Sequence, residues 1–153
     1  MNSQRKSYNN VSEKTLVDGS LRRLRSLPSI RVCCEVPVLG RSVDLAYVRD
    51  EVLITVEFKV RDWRRALLQV RAHLLAADYC YICMPERRVS NDMELALERT
   101  GVGLLFYTDE GKWPFVPVIE AKRSVETWET ARSWTLEYIG ENQGRASWRR
   151  KKR

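Results

Sequence analysis

The sequence predicts an α/β fold in which a central mixed β-sheet is flanked by helices. Three observations carry this expectation. A capped amphipathic stretch precedes three β-rich runs separated by two tight turns, later apolar runs follow capped helical stretches, and 153 residues suit one domain with one core. The element order reads α-β-β-β-α-β-α-β. A three-strand meander followed by helical crossovers calls for antiparallel and parallel pairing in one sheet, with helices packed on both faces. Apolar and charged fractions of 44% and 31% are those of an ordinary globular chain, so the fold needs neither disulfides nor a structural metal.

Each element follows from local signals. Ser12 caps a first helix that runs to about Leu27 and is stopped by Pro28. Its apolar stripe is Val17, Leu21 and Leu24; Glu13 lies one turn before Val17, and Gly19 weakens the helix. Residues 31–39 read as a strand, and Gly40-Arg41 turns into a second strand over 42–48. Arg49-Asp50-Glu51 turns again, into a third strand over 52–60 that is rich in β-branched residues. Asp62 caps a helix over 63–76, and 79–84 is a short buried strand. Ser90 caps a helix ending near Gly101, and 102–107 is another apolar strand. An edge strand over 113–119 is broken up by Pro114 and Pro117, and 124–139 reads as helical. Residues 1–140 therefore form the single expected domain, and 141–153 a basic tail with little expected order.

The formal charge of +7 is unevenly placed. The last nine residues hold six basic side chains and no acid, and removing those six charges leaves the rest of the chain at +1. Trp148 sits in this run, followed by Arg149, Arg150, Lys151, Lys152 and Arg153. An aromatic among cations suits nucleic-acid contact; a solvated, solubilising arm is the bland alternative. Residues 1–10 lack the apolar core of a signal peptide, and no stretch approaches the ~18 apolar residues of a membrane span. The expectation is a cytoplasmic protein, no membrane partner, and four reduced cysteines.

The chemistry concentrates where strands two and three face one another. Side chains alternate along a strand, so Val52, Ile54, Val56, Phe58 and Val60 share an apolar face. Leu53, Thr55, Glu57 and Lys59 form the other face, which turns polar toward the strand end. In the second strand the same rule sets Val43, Leu45 and Tyr47 opposite Asp44, Ala46 and Val48. A hairpin then brings Asp44 beside Glu57 and Lys59. Crowded carboxylates raise one another's pKa unless a cation sits between them, and hard oxygen donors suit Mg²⁺ or Mn²⁺. Such an ion lowers the pKa of a bound water, and a nearby ammonium can orient that water or stabilise developing charge. An ordinary surface salt bridge is the alternative for an acid and a lysine two apart.

Asp44, twelve residues, then Glu57-Phe58-Lys59 resembles the D-x(n)-(D/E)-x-K signature of the PD-(D/E)xK nuclease superfamily. The resemblance implies a three-layer restriction-endonuclease-like fold whose α-β-β-β-α-β core covers about residues 12–84. It implies a Mg²⁺- or Mn²⁺-dependent deoxyribonuclease acting in DNA repair, recombination, restriction or phage DNA processing. Asp44, Glu57 and the Phe58 backbone carbonyl would hold the metal, with Lys59 serving the water and the transition state. Glu13, on the first helix, matches the place of a further acid. Gln69-Val70-Arg71-Ala72-His73 is similar to the Q-h-x-x-Y motif of the RecB-like branch, with His73 where Tyr is usual and Val43 where Pro precedes the first acid. Gln69 and His73 are thereby implied as assisting residues. The implied partner is DNA, with a homodimer or a DNA-processing complex as the assembly.

Other features carry two readings each. Glu35 is a candidate extra ligand or a strand-edge carboxylate paired with Arg41 or another base. Cys33 and Cys34 diverge on a strand, as do Cys80 and Cys83, so all four read as small buried hydrophobes rather than metal ligands. Arg61, Arg64, Arg65 and Arg71 can grip a phosphate backbone or simply form a solvated helix face. Trp63 reads as a core anchor before a base-stacking platform. Beside the nuclease stand two other function classes: a nucleic-acid-binding module of the same fold without cleavage, and an accessory subunit that delivers a partner enzyme.

Overall fold

The structure, a computed structural model, describes residues 11–143. Its six strands form one mixed sheet in sequence order: β1 Arg31–Val38, β2 Arg41–Arg49, β3 Val52–Phe58, β4 Tyr79–Met84, β5 Gly103–Tyr107 and β6 Phe115–Ile119. The β1–β2, β2–β3 and β5–β6 pairs are antiparallel, while β3–β4 and β4–β5 are parallel. Four helices flank the sheet: α1 Glu13–Arg25, α2 Trp63–His73, α3 Asn91–Thr100 and α4 Glu129–Glu141. This is a three-layer α/β fold, as the sequence predicts, with Pro117 on the edge strand β6.

Two apolar layers hold the helices to the sheet. On one face Leu16, Leu21 and Leu24 of α1 pack with Leu45, Val56, Phe58, Cys83 and Leu105. On the other, Trp63, Ala66 and Val70 of α2 join Met93 and Leu97 of α3, Ala131 and Ile139 of α4, and Leu53, Cys80, Ile82 and Leu104 of the sheet. The cysteines divide between the layers, Cys33 and Cys80 in one and Cys34 and Cys83 in the other, all four buried and none in a disulfide. Trp63 is a core anchor, with Arg64 stacked over its ring at 4.4 Å.

Capping sets the helix starts. Ser12 accepts the Thr15 N–H at 3.2 Å, Asp62 that of Arg65 at 3.1 Å, and Ser90 that of Met93 at 3.2 Å. Gly101 ends α3 at φ +75°, a left-handed cap that glycine adopts without strain. Gly19 does more than weaken α1: a Cβ built there would lie 2.1 Å from the Tyr107 hydroxyl, so α1 needs a glycine to approach β5.

Several boundaries differ from expectation, each for a visible reason. Helix α2 ends at His73 rather than at residue 76, because the His73 carbonyl accepts both the Ala76 and Ala77 N–H groups at 3.0 Å and closes a tight turn. Helix α4 begins at Glu129, not Ser124, because the preceding segment bonds to the α2–β4 connection instead. Ser124 N–H reaches the Asp78 carbonyl at 2.8 Å, Thr127 Oγ1 that of Ala77 at 2.9 Å, and Trp128 N–H that of Leu75 at 2.7 Å. Strand β3 stops at Phe58, so Lys59 leaves the ladder after donating its N–H to the Cys83 carbonyl at 3.1 Å.

One correction concerns the faces of β2. Val43 lies in the layer of Ala46 and Val48, not in that of Leu45 and Tyr47. The alternation changes phase at Asp44. On β1 the same change falls at Glu35, whose φ is +50°: Cys34 belongs to the α1 layer and Val36 to the opposite one. The β1–β2 register passes unshifted from Cys34↔Leu45 to Val36↔Val43, so both strands change phase where these two acids face each other.

Candidate active site

The phase change on β2 falls at the first acid. Asp44 lies one residue beyond Leu45↔Val56, the pair at this end of the β2–β3 ladder, so the two strands have begun to part. Its Oδ2 accepts the Phe58 N–H at 2.8 Å, across the gap. Glu57, one residue earlier on β3, is only 4% exposed. Burial first, then the neighbouring Asp44 carboxyl, pushes Glu57 up to about 9. Burial also raises Asp44, against the lowering effect of the Phe58 N–H. The half-buried Asp44 and the buried Glu57 carboxyls are joined by a hydrogen bond, so one of the two holds a proton.

Lys59 and Glu13 complete the group. Lys59 Nζ lies 3.8 Å from Glu13 Oε1, a long contact that brings the capped start of α1 to the end of β3. The charges of both residues act on both Asp44 and Glu57, the lysine lowering and the glutamate raising their pKa values. The structure thus gathers Asp44, Glu57, Lys59 and Glu13, four positions spread over 47 residues of sequence, at one place.

Helix α2 supplies the wall. Trp63, Ala66, Val70 and His73 form its buried stripe, and half-buried Gln69 lies one turn before His73. His73 is 1% exposed; burial, then the Arg41 charge, pulls it down to about 4, so the imidazole is neutral at physiological pH. Gln69 Oε1, His73 Nδ1, Glu57 Oε2 and Thr55 Oγ1 are buried without a partner in good hydrogen-bond geometry among the described residues. Sequence reading missed Thr55 and Arg41. Thr55 was legible as the next polar residue on the Glu57 face; the Arg41 charge reaches His73 from the start of β2, 32 positions away in sequence, and left no local signal.

No family model and no curated protein matches the chain. The fold is similar to that of a protein of unknown function from Silicibacter pomeroyi, with a TM-score of 0.59 at 16% identity over 86% of each chain. An XisH family protein from Nostoc punctiforme has a TM-score of 0.49 at 17% identity, covering 69% of this chain and 97% of its own. At these identities the likeness concerns the fold alone.

Among the described residues no group of three or more His, Cys, Asp or Glu side chains is arranged to hold a metal ion. The smaller set of Asp44 and Glu57 does suit a hard divalent cation: both donors are oxygens, and Glu57 Oε2 is buried and unpartnered. Burial is the main cause of both raised pKa values; the Asp44 charge adds to it at Glu57, and the Lys59 charge lowers both without cancelling it. Glu13, engaged with Lys59, borders this pair. Glu35 lies at the phase change on β1, half-buried.

The expected phosphate-gripping residues separate. Arg61, Arg64 and Arg65 are exposed near the start of α2, where Arg64 also meets Asp92 at 3.7 Å. Arg87, which sequence reading missed, joins them by donating to the Arg61 carbonyl at 3.2 Å. Arg71 is also exposed but lies toward the other end of α2, on a cavity of about 720 Å³ shared with Arg99, Lys122 and Arg123. Trp148, Arg149, Arg150, Lys151, Lys152 and Arg153 lie outside the described residues. No described helix is long and apolar enough to cross a membrane.

Proposed function

We propose that this chain is a metal-dependent deoxyribonuclease that hydrolyses DNA phosphodiester bonds, with Asp44, Glu57 and Lys59 at its centre. The observation that carries the reading is the Asp44 Oδ2 to Phe58 N–H bond of 2.8 Å, which sets one acid against the peptide between the second acid and the lysine. The raised pKa of Glu57 supports it, because burying two acids together is costly unless a cation is to share them.

In this reading Asp44 and Glu57, with the Phe58 carbonyl, hold Mg²⁺ or Mn²⁺, and Glu13 is a candidate further ligand. The bound ion supplies a water of lowered pKa and neutralises charge on the scissile phosphate. Lys59 donates to the attacking water or to the phosphate oxygens; its ammonium has three N–H donors, and one long contact to Glu13 leaves donors free. Gln69 orients groups at the wall of the site, and His73 stays neutral. Arg61, Arg65 and Arg87 flank the start of α2, where they hold the substrate backbone by its phosphates. The implied settings are DNA repair, recombination, restriction or phage DNA processing, with a homodimer or a larger DNA-processing complex as the working assembly and the cytoplasm as its place.

The test is cleavage of a panel of linear, flapped, branched and single-stranded DNAs with Mg²⁺, Mn²⁺ or EDTA, beside Glu57→Ala. Metal-dependent cleavage that the variant lacks establishes the reading. Equal inertness of both proteins, with DNA binding retained, replaces it with a binding module; loss of DNA affinity in both points to an accessory subunit.

A further inference from the structure

Four buried polar atoms line the two elements, β3 and α2, that pack against each other. Thr55 Oγ1 and Glu57 Oε2 come from alternate residues of β3, on the face whose Leu53 lies in the core with Trp63, Ala66 and Val70 of α2. Gln69 Oε1 and His73 Nδ1 come from positions i and i+4 of α2, along one edge of its buried stripe. None of the four meets a partner in good hydrogen-bond geometry among the described residues, where Ser20 Oγ is the one other side-chain atom in that state, although the Cys80 thiol lies beside the Thr55 hydroxyl. Thr55 is 0% exposed, Glu57 4% and His73 1%.

Unpartnered buried polar atoms are few and scattered in native folds, and each costs free energy. Here four lie on two facing elements, and three of them, Glu57, Gln69 and His73, belong to the candidate site. A valine at position 55 would have the same shape as threonine and suit a strand of Val and Ile, so its hydroxyl, with only the weakly bonding Cys80 thiol beside it, calls for a further partner. A hydroxyl, a carboxyl, a carboxamide and a neutral imidazole together offer both donors and acceptors, the lining an internal water requires.

We propose that Thr55, Glu57, Gln69 and His73 share internal water, and that Thr55 and His73 are positioning residues that fix the Glu57 carboxyl and the Gln69 carboxamide through it. The catalytic consequence rests on the nuclease reading; the hydrogen-bonded cluster does not. Neither Thr55 nor His73 touches the substrate in this arrangement.

The chain contains a single histidine, so every imidazole signal in an ¹⁵N-labelled sample belongs to His73. In the full-length protein without metal, the His73 ring shows magnetisation transfer to a long-lived water, and Thr55→Val shifts the Nδ1 resonance while Thr55→Ser restores it. In the cleavage assay Thr55→Val lowers kcat about tenfold at unchanged KM, and Thr55→Ser recovers it. Absence of water transfer together with an Nδ1 signal unmoved in folded Thr55→Val overturns the proposal. Should Thr55→Val not fold, Gln69→Met is read on the same resonance with the same two outcomes. A chain inert on every DNA would sink the nuclease reading while the imidazole signals still decide this one.

Discussion

Asp44 Oδ2 lies 2.8 Å from the Phe58 amide nitrogen, the peptide that separates Glu57 from Lys59. This bond spans the gap that opens between β2 and β3 beyond Leu45↔Val56. It makes the position of the first acid depend on the backbone that carries the second acid and the lysine. The three groups are therefore held as one unit, and a change at Asp44 separates into an effect on structure and an effect on charge.

Asp44→Asn keeps an oxygen that can accept the Phe58 N–H but removes the negative charge. The expected result is a melting temperature close to wild type with cleavage reduced at least about a hundredfold. Asp44→Ala also leaves the Phe58 N–H unpaired and costs a further ~1–3 kcal/mol of stability. Melting curves beside metal-dependent cleavage check both; full activity in Asp44→Asn would remove this acid from the site.

Glu57 gives a pH dependence with a definite sign. Its folded-state pKa, pushed up to about 9 by burial and by Asp44, lies above its ordinary value of 4.5. Between those values the folded chain binds more protons than the unfolded one, so this group makes stability fall as pH rises. Glu57→Gln is neutral throughout and lacks that slope. Its melting temperature should exceed that of wild type by a margin that widens from about pH 5 to pH 9, each kcal/mol corresponding to about 2–4 °C. Mg²⁺ at high pH should narrow the margin, since a bound cation favours the ionised carboxyl. Parallel curves with and without Mg²⁺ would show that Glu57 carries no such burden.

The layers, the order of elements along the chain and three helix caps were legible because each rests on local chemistry: Ser12, Asp62 and Ser90 before amphipathic runs, and β-branched residues between turns. The grouping of Asp44, Glu57 and Lys59 was legible from period-two alternation and hairpin pairing. The face of Val43 was not, because the phase change at Glu35 and Asp44 arises from a left-handed backbone at a glutamate, which side-chain pattern does not announce. The start of α4 was hidden for another reason. Residues 124–128 have helical composition, but their hydrogen bonds go to Leu74, Leu75, Ala77 and Asp78, an arrangement that exists only once the chain has folded.

Asp78 is the hub of that arrangement. Burial alone would raise its carboxyl, but the Arg132 guanidinium, the Leu53 N–H and the Arg123 charge outweigh it and hold the group below the usual carboxylate range. Arg132 binds both oxygens at 3.0 Å, and Leu53 N–H donates to Oδ2 at 2.8 Å. Asp78→Ala should cost about 3–5 kcal/mol, because it strands a partly buried guanidinium and a strand amide. Since the folded pKa is depressed, the wild-type advantage over the variant should shrink as pH falls through the acid range. Urea unfolding at neutral and low pH measures both; a loss under 1 kcal/mol at neutral pH would mean that α4 is held by its apolar face alone.

Gly19 and Tyr107 supply a test of packing at residues outside the candidate site. A methyl group at Gly19 would overlap the Tyr107 hydroxyl, and the Arg23 guanidinium lies 5.1 Å from the same ring, donating to the Thr108 carbonyl beside it. Helix propensity alone favours Gly19→Ala by roughly 1 kcal/mol. Steric overlap opposes it by about 1–3 kcal/mol, so the variant should be destabilised or at best neutral. Removing the hydroxyl with Tyr107→Phe opens space for the methyl group, and the double variant should recover stability relative to Gly19→Ala. A double-variant cycle of melting temperatures reads this coupling directly. Additive effects would show that α1 moves away from β5 rather than pressing against it, and α1 would then carry Glu13 away from Lys59.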